Sequence, residues 1–270
     1  GVLFTSNHTG GTPFVAGTSL TTGGADLIFH NFATGDINLD ADLTGGQKVQ
    51  FTGPGTTILG GTNDYSGATS ITGGAIVAID DFAKLGSATS VEMNNGTLRY
   101  TAAAPVAAPI ETVFTLGAGM STIDVSDAGG EVIFKGTANN QFTSEASPIA
   151  GYTATNQFSG GLSLVGSGTI QFGDRVSANA TTDVLGVVNN YTGLTVIGDG
   201  TNPLRVDIQG QPADNGQLSP FGTTFSWADG TIVRNNATVE FAPRRGDTSR
   251  SITRLTVKSH WMAFTTWWAI

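Results

Sequence analysis

Hydrophobic and polar residues alternate in short runs along much of this chain. In residues 35–43 every second position is apolar, at Ile37, Leu39, Ala41 and Leu43, which is the pattern of a strand with one buried face. Similar runs predict strands at 49–52, 57–59, 75–79, 97–100, 121–125, 131–134, 169–172, 194–197, 204–208 and 238–241. Paired glycines and asparagines separate many of these runs, as tight turns require. Because helical periodicity is almost absent, we predict an all-β chain.

Several segments resemble one another. The segment 63–71 is similar to 156–164 and, over a shorter stretch, to 189–196. The shared positions are an asparagine, an aromatic residue and a glycine: Asn63, Tyr65 and Gly67, then Asn156, Phe158 and Gly160, then Asn190, Tyr191 and Gly193. Such repetition favours a solenoid over a sandwich or barrel. The spacing of the copies is irregular, which predicts loops inserted between coils.

These repeats resemble the passenger-associated repeat of bacterial autotransporters. The likeness is clearest over 53–74, where a Gly-Thr-rich strand precedes the pattern Asn-x-Tyr-Ser-Gly-x-Thr. It extends over 47–100 and, more weakly, over 156–241. The resemblance implies a right-handed parallel β-helix with inserted loops, exposed on a bacterial cell surface or secreted. In that family the role of the β-helix is to be long, stiff and exposed, as a fibre, sheath or adhesin.

Composition changes this picture little. Only 12% of residues are charged and none is cysteine, so disulfides, thiol nucleophiles and cysteine-based zinc sites are excluded. The net charge of −9 argues against nucleic acid as a partner, because phosphate binding requires basic patches. No apolar stretch reaches the length of a membrane-spanning helix, so we expect none.

One acidic segment superficially resembles a calcium loop. Asp36, Asn38, Asp40 and Asp42 alternate along residues 36–42. The glycine and glutamate that an EF-hand loop needs at its sixth and twelfth positions are missing. We therefore interpret the segment as the outer face of a strand, with a surface calcium site as the alternative.

Two pairs of carboxylates are candidates for catalysis. Asp80 and Asp81 are adjacent, and Asp124 and Asp127 flank a predicted turn, so either pair could supply the acid and base of a glycoside hydrolase. Neither has companion residues typical of such enzymes, and both pairs are interpreted as solvated surface. The histidines do not neighbour a nucleophile motif; they are His8, His30 and His260. We predict no enzymatic activity and no cofactor.

The repeated aromatic residues allow two interpretations. Tyr65, Phe158 and Tyr191 could form a sugar-binding ladder on the surface or a stack inside the solenoid. Because equivalent positions of a solenoid align along its axis, we favour the internal stack.

The C-terminal part differs in charge. Residues 234–270 hold six of the 12 basic residues and two of the 21 acidic ones. We predict a β-helical domain over 1–241 and a basic, Trp-rich segment over 242–270, which acts as a cap, an assembly contact or an end left by truncation. The candidate contact residues are Arg244, Arg245, Trp261, Trp267 and Trp268.

The sequence thus predicts a non-catalytic, exported structural or adhesive protein. Its expected partners are other copies of itself, and glycans or a cell surface are further candidates. Two alternatives remain open: a β-helix that binds or degrades polysaccharide, and a module of a viral fibre.

Overall fold

The computed structural model describes residues 1–7, 14–87, 90–108, 110–134, 142–144, 160–173, 193–209, 230–242, 253–256 and 262–264. In these ranges the chain forms short strands and one 3₁₀ helix, Phe82–Leu85. The strands, numbered along the chain, are β1 (Val2–Phe4), β2 (Phe14–Val15), β3 (Ser19–Thr21), β4 (Leu27–Asn31), β5 (Ile37–Leu39), β6 (Asp42–Thr44), β7 (Val49–Thr52), β8 (Thr56–Leu59), β9 (Thr69–Thr72), β10 (Ile76–Ile79), β11 (Ser90–Asn94), β12 (Thr97–Tyr100), β13 (Val113–Leu116), β14 (Met120–Val125), β15 (Glu131–Phe134), β16 (Phe142–Ser144), β17 (Gly161–Gly166), β18 (Thr169–Phe172), β19 (Thr195–Ile197), β20 (Arg205–Gln209), β21 (Thr231–Val233), β22 (Thr238–Ala242), β23 (Thr253–Thr256) and β24 (Met262–Phe264).

Consecutive strands belong to different sheets. The first sheet has the order β1-β4-β7-β9-β11-β13-β16, and the second has the order β2-β5-β8-β10-β12-β14-β17-β19-β21-β24. A third sheet has the order β15-β18-β20-β22-β23. Strands β3 and β6 form a separate two-stranded sheet. From β1 to β22 every pairing among described strands is parallel. The chain is therefore all-β, and its parallel sheets fit the β-helix that the repeats implied.

The number of residues between paired strands changes along the chain. We use the word coil for the stretch of chain from one strand to the next strand of the same sheet. In the second sheet, paired positions are 20 to 25 residues apart between Ile37 and Ile123. Between Ile123 and Val233 they are 33 to 41 residues apart. The parallel, in-register pairing of the described strands of the second sheet continues across this change.

The core follows the inner side of the sheets. One inward row of the second sheet consists of Ile37, Thr57, Val77, Leu98, Ile123, Leu164, Ile197 and Val233, all buried. Phe29 and Phe51 stack in the first sheet with ring centroids 5.3 Å apart. Phe134 of the third sheet contacts Phe114 of the first edge-on, at 5.5 Å. Aromatic pairs of this kind add to the energy of burial.

The predicted strands are confirmed with one exception. Ten of them match observed strands to within one residue at either end. The run 35–43 is wrong as a single strand, because it forms Ile37–Leu39 and Asp42–Thr44 in two different sheets. The chain turns at Asp40 and Ala41. All four apolar side chains of the run are nevertheless buried, since the inside-outside alternation continues around the corner.

Strand direction reverses after β22, which ends at Ala242. β23 pairs antiparallel with β22, and β24 pairs antiparallel with β21. The edges of the last two parallel strands are thereby paired, and unpaired strand edges are templates for association with another chain.

Candidate functional site

The Asn63 side chain joins three successive coils. Its Oδ1 accepts a hydrogen bond from the amide of Leu43, 20 residues earlier, at 2.8 Å. Its Nδ2 donates to the carbonyl of Lys84, 21 residues later, at 2.6 Å. The Lys84 ammonium in turn donates to the carbonyls of Gly60 and Gly61. Between strands β8 and β9, side-chain hydrogen bonds thus join neighbouring coils, as backbone hydrogen bonds do within the sheets.

We expect Asn63→Ala to lower the free energy of unfolding by about 2 kcal/mol or more, because each buried partner left unsatisfied costs about 1–3 kcal/mol. Denaturant unfolding measures this change. The matched control is Asn38→Ala on the outer side of β5, which should change stability by less than about 0.5 kcal/mol. Equal denaturant midpoints for Asn63→Ala and Asn38→Ala would contradict the bridging role of Asn63.

Tyr65 is the largest completely buried side chain among the described residues. Its hydroxyl oxygen lies 2.6 Å from the Thr69 hydroxyl oxygen. The ring packs against the backbone of Gly86, where a Cβ would come within 3.0 Å of the ring atom Cδ1. Burial raises the pKa of Tyr65 to about 12, although the hydrogen bond with Thr69 opposes the shift.

This raised pKa predicts alkaline destabilisation. Below about pH 10 the phenol is neutral in both states; between about pH 10 and 12 the unfolded chain loses the proton while the folded chain keeps it. Stability therefore falls across this window, by about 3 kcal/mol in total. Burial, with Asp81 and Asp80, also raises the pKa of Tyr100, so the contribution of Tyr65 must be isolated. Denaturant unfolding of Tyr65→Phe should show a shallower decline with pH than the unsubstituted protein; parallel declines would refute the prediction.

Glycines of the repeated segments lie where the coils touch. A Cβ on Gly67 would overlap the carbonyl of Gln47 in the preceding coil. A Cβ on Gly193 would overlap the carbonyl of Gly160, and one on Gly160 would overlap that of Gly117. Glycine is required at these positions because the backbones approach too closely for any side chain.

The three copies do not all start the same sheet. Gly160 and Gly193 precede β17 and β19, which are neighbours in the second sheet with Leu162 paired to Thr195. Gly67 instead precedes β9 of the first sheet. The same corner glycine thus precedes strands of both sheets, so the local pattern does not specify which sheet the strand joins.

Carboxylates that were candidates for chemistry hold turns and coil contacts. Asp42 accepts a hydrogen bond from the amide of Thr62 at 2.6 Å. Asp81 caps the 3₁₀ helix by accepting from the amide of Ala83 at 2.9 Å. Asp127 accepts from the amide of Gly129 at 2.8 Å. These bonds are local or join one coil to the next.

Asp124 corrects one expectation. It was predicted to be solvated, but it is 8% exposed and its Oδ2 accepts from Nε of Arg99 at 2.7 Å. The two residues face each other in the register of β12 and β14. The strand pairing brings the opposite charges together, and the ion pair allows the carboxylate to be buried.

Further ion pairs lie on the outer sides of the sheets. Arg205 contacts Asp207 at 2.6 Å and Glu240 at 3.2 Å, and its hydrogen bond to Asp207 raises the pKa of Arg205. Lys48 contacts Glu92 at 2.5 Å. The Arg205–Asp207 pair lies within β20, the Arg205–Glu240 pair joins β20 to its neighbour β22, and the Lys48–Glu92 pair reaches from the start of β7 across β9 to β11.

A turn after β19 holds Asp199, a carboxyl whose pKa is shifted. Burial raises the pKa of Asp199, but hydrogen bonds from Asn202 and Thr201 outweigh it and lower the pKa overall. These bonds fold the carboxylate back onto its own turn, at 2.7 Å from the amide of Thr201.

No group of three or more histidine, aspartate or glutamate residues within the described ranges could hold a metal ion. His30 lies exposed on β4, and His8 and His260 are outside the described residues. In the part of the chain that the structure describes, no helix has the length and apolarity needed to cross a membrane.

Several predicted residues lie outside the described ranges. From the repeats these are Asn156, Phe158, Asn190 and Tyr191, and from the C-terminal segment they are Arg244, Arg245, Trp261, Trp267 and Trp268. The internal stack of repeated aromatic residues and the assembly contact therefore stay predictions.

The geometry defines an all-β chain of stacked parallel strands whose coils are held by side-chain bridges. Its sequence is 28% identical to the adhesin BmaC autotransporter of Brucella suis biovar 1 (strain 1330), over 255 residues. The alignment covers 88% of this chain but only 6% of the relative. No protein family and no solved structure matches the chain significantly.

Proposed function

We propose that this chain is part of an exported, non-catalytic surface adhesin of the autotransporter type, in which the coils close into a right-handed β-helix. The observation that carries the proposal is the coil-by-coil parallel stack, with a row of buried side chains, apolar except for Thr57, that continues from Ile37 to Val233. A stack of this kind is elongated by construction, because each unit contacts only its neighbours. The adhesin of Brucella suis is similar in sequence, at 28% identity, to 88% of this chain.

The polar chemistry supports a structural role. Asn63, Asp81 and Asp124 are engaged in bridging, capping and ion pairing. A general acid and base must instead face a common space beside the substrate. On this proposal no cofactor is needed, and ligand recognition uses exposed surface and the connections between strands. Glycans or a cell surface are the partners that we propose.

Exposure on the producing cell is tested with antibodies raised against the purified chain. They should label intact cells, and added protease should remove the label while a cytoplasmic control protein survives. Labelling that needs permeabilised cells would overturn the surface assignment.

Adhesion is tested with beads that carry the folded chain. They should bind host-type cells or immobilised glycans better than beads carrying the Gly67→Val variant, once circular dichroism has shown that this variant is unfolded. Equal binding would refute adhesion by the folded surface. Turnover of a glycan that disappears in Asp80→Asn or Asp81→Asn would instead establish the polysaccharide-degrading alternative.

We further propose that copies self-associate into a fibre or sheath through residues 242–270. Residues 234–270 carry six basic and two acidic residues, whereas the remainder carries six basic and 19 acidic, so opposite charges at separate places favour head-to-tail contacts. Deleting 259–270 should abolish assembly measured by light scattering. Because the deletion also removes β24, the control variant replaces only Trp267 and Trp268 by alanine. A monomeric full-length chain at high concentration, or unchanged assembly of both variants, would contradict this proposal.

A further inference from the structure

Two corners of the fold have the same unusual backbone. Asn95 and Asn236 have φ of 56° and 63°, and no other non-glycine residue described by the structure has a positive φ. Each is exposed, follows another asparagine and precedes a strand, β12 or β22. Asparagine tolerates the left-handed region better than most residues. The two corners are therefore a natural matched pair.

They differ in the residue that follows. At the second corner the amide of Ala237 donates to the carbonyl of Arg234 at 3.2 Å and closes the turn. At the first corner the amide of Gly96 donates no backbone hydrogen bond within the described residues. The carbonyl of Met93 accepts instead from the amide of Gly117 in the next coil, at 2.7 Å.

Packing explains why glycine follows Asn95. A Cβ on Gly96 would overlap the carbonyl of Ile71 in the preceding coil. The coil therefore requires glycine after Asn95, so an Asn-Gly bond lies at an exposed corner, and no turn hydrogen bond holds the glycine amide.

We propose that Asn95 is a site of spontaneous deamidation. The amide nitrogen of Gly96 attacks Cγ of Asn95, so that an N–Cγ bond forms and the Cγ–Nδ2 bond breaks. Ammonia leaves with the proton from the Gly96 amide, and a cyclic imide remains. Water then opens the ring at either carbonyl, which leaves aspartate or isoaspartate at this position. Glycine offers no side chain to hinder the attack, and asparagine is a chemically labile residue.

The modification changes a contact between coils. The Asn95 carbonyl accepts from the amide of Gly74 at 2.6 Å, and the Asn94 side chain accepts from the amide of Gly119 at 3.0 Å. Isoaspartate lengthens the backbone by one carbon between this corner and β12, and either product adds a negative charge. We expect deamidated protein to melt at a lower temperature and to elute later from an anion-exchange column. This inference does not depend on the proposed adhesive function.

The test compares the two corners in one sample. Folded protein is incubated at mildly alkaline pH, which promotes loss of the Gly96 amide proton, and is then digested with trypsin. Cleavage after Lys84 and Arg99 releases peptide 85–99, and cleavage after Arg234 and Arg244 releases peptide 235–244. Peptide 85–99 should gain the mass of replacing NH₂ by OH several times faster than peptide 235–244 does. Its fragment ions should place the change at Asn95. It should also accept methyl groups from an isoaspartyl methyltransferase. An unmodified peptide 85–99, or equal rates in both peptides, would overturn the proposal.

Two features could make Asn95 deamidate faster than Asn236: the glycine that follows it, and the glycine amide that makes no turn hydrogen bond. The variant Ala237→Gly separates these two causes. It creates an Asn-Gly bond at the second corner but keeps the amide that donates to Arg234. Deamidation at Asn236 should stay slower in this variant than at Asn95. Equal rates would show that the open turn has no role and would overturn the structural part of the proposal.

Discussion

Replacing Gly67 with valine should unfold the chain or lower its free energy of unfolding by about 3 kcal/mol or more, at the upper end of the range for overpacking. The added Cβ would overlap the carbonyl oxygen and carbon of Gln47 and come within 2.6 Å of the amide nitrogen of Lys48. These are backbone atoms of the preceding coil, which cannot turn aside as a flexible side chain can. Denaturant unfolding monitored by circular dichroism measures the loss.

The matched control is Gly35→Ala. A Cβ on Gly35 meets nothing within 4 Å, and its backbone is not in the left-handed region. The free energy of unfolding of this control should be unchanged or rise by up to about 1 kcal/mol, because alanine restricts the unfolded chain. Equal melting temperatures for Gly67→Val and the Gly35→Ala control would show that the coils can move apart at Gly67 with no loss of stability. That result would contradict the close stacking described above.

Replacing Tyr65 with alanine should lower the free energy of unfolding by about 3–5 kcal/mol, the usual cost of removing a large buried aromatic ring. The ring is 0% exposed and belongs to the continuous core. Its removal would leave a cavity beside Gly86 and a buried hydroxyl on Thr69 without its partner.

Tyr65→Phe is the control for this prediction. It keeps the ring and removes only the hydroxyl that contacts Thr69, so it should cost about 1–3 kcal/mol. The alternative for the repeated aromatic residues, a sugar-binding ladder, makes the opposite prediction for Tyr65→Ala. A variant that keeps its melting temperature but loses carbohydrate binding would establish that alternative.

Much of the fold could be predicted from short-range pattern. Alternation located strands such as Thr97–Tyr100 and Thr169–Phe172 without error, because inside-outside alternation is a property of a few adjacent residues. It could not show that residues 35–43 bend from one sheet into another, since the same alternation continues around a corner. Twelve of the 24 described strands fall outside the predicted ranges, among them Ser90–Asn94 and Val113–Leu116.

The candidate site was predicted less completely. The repeats singled out Asn63, Tyr65 and Gly67, but the partners of these residues are 19 or more residues away along the chain, apart from Thr69. Recurrence of a residue marks a position as special without showing what it touches. The bridge from Leu43 through Asn63 to Lys84 therefore needed the structure.

By itself the sequence determined the all-β class, the repeated turn-and-strand unit, and the positions of ten of the 24 described strands, because these depend on neighbouring residues. The tertiary structure alone decided which strands share a sheet and which residues face each other between coils. It placed Gly67 before a strand of the first sheet and Gly160 before one of the second, and it brought Arg99 to Asp124. The reason is physical: register joins residues 20 to 41 positions apart in the second sheet, and it is set by the length of each coil and its packing on the one before.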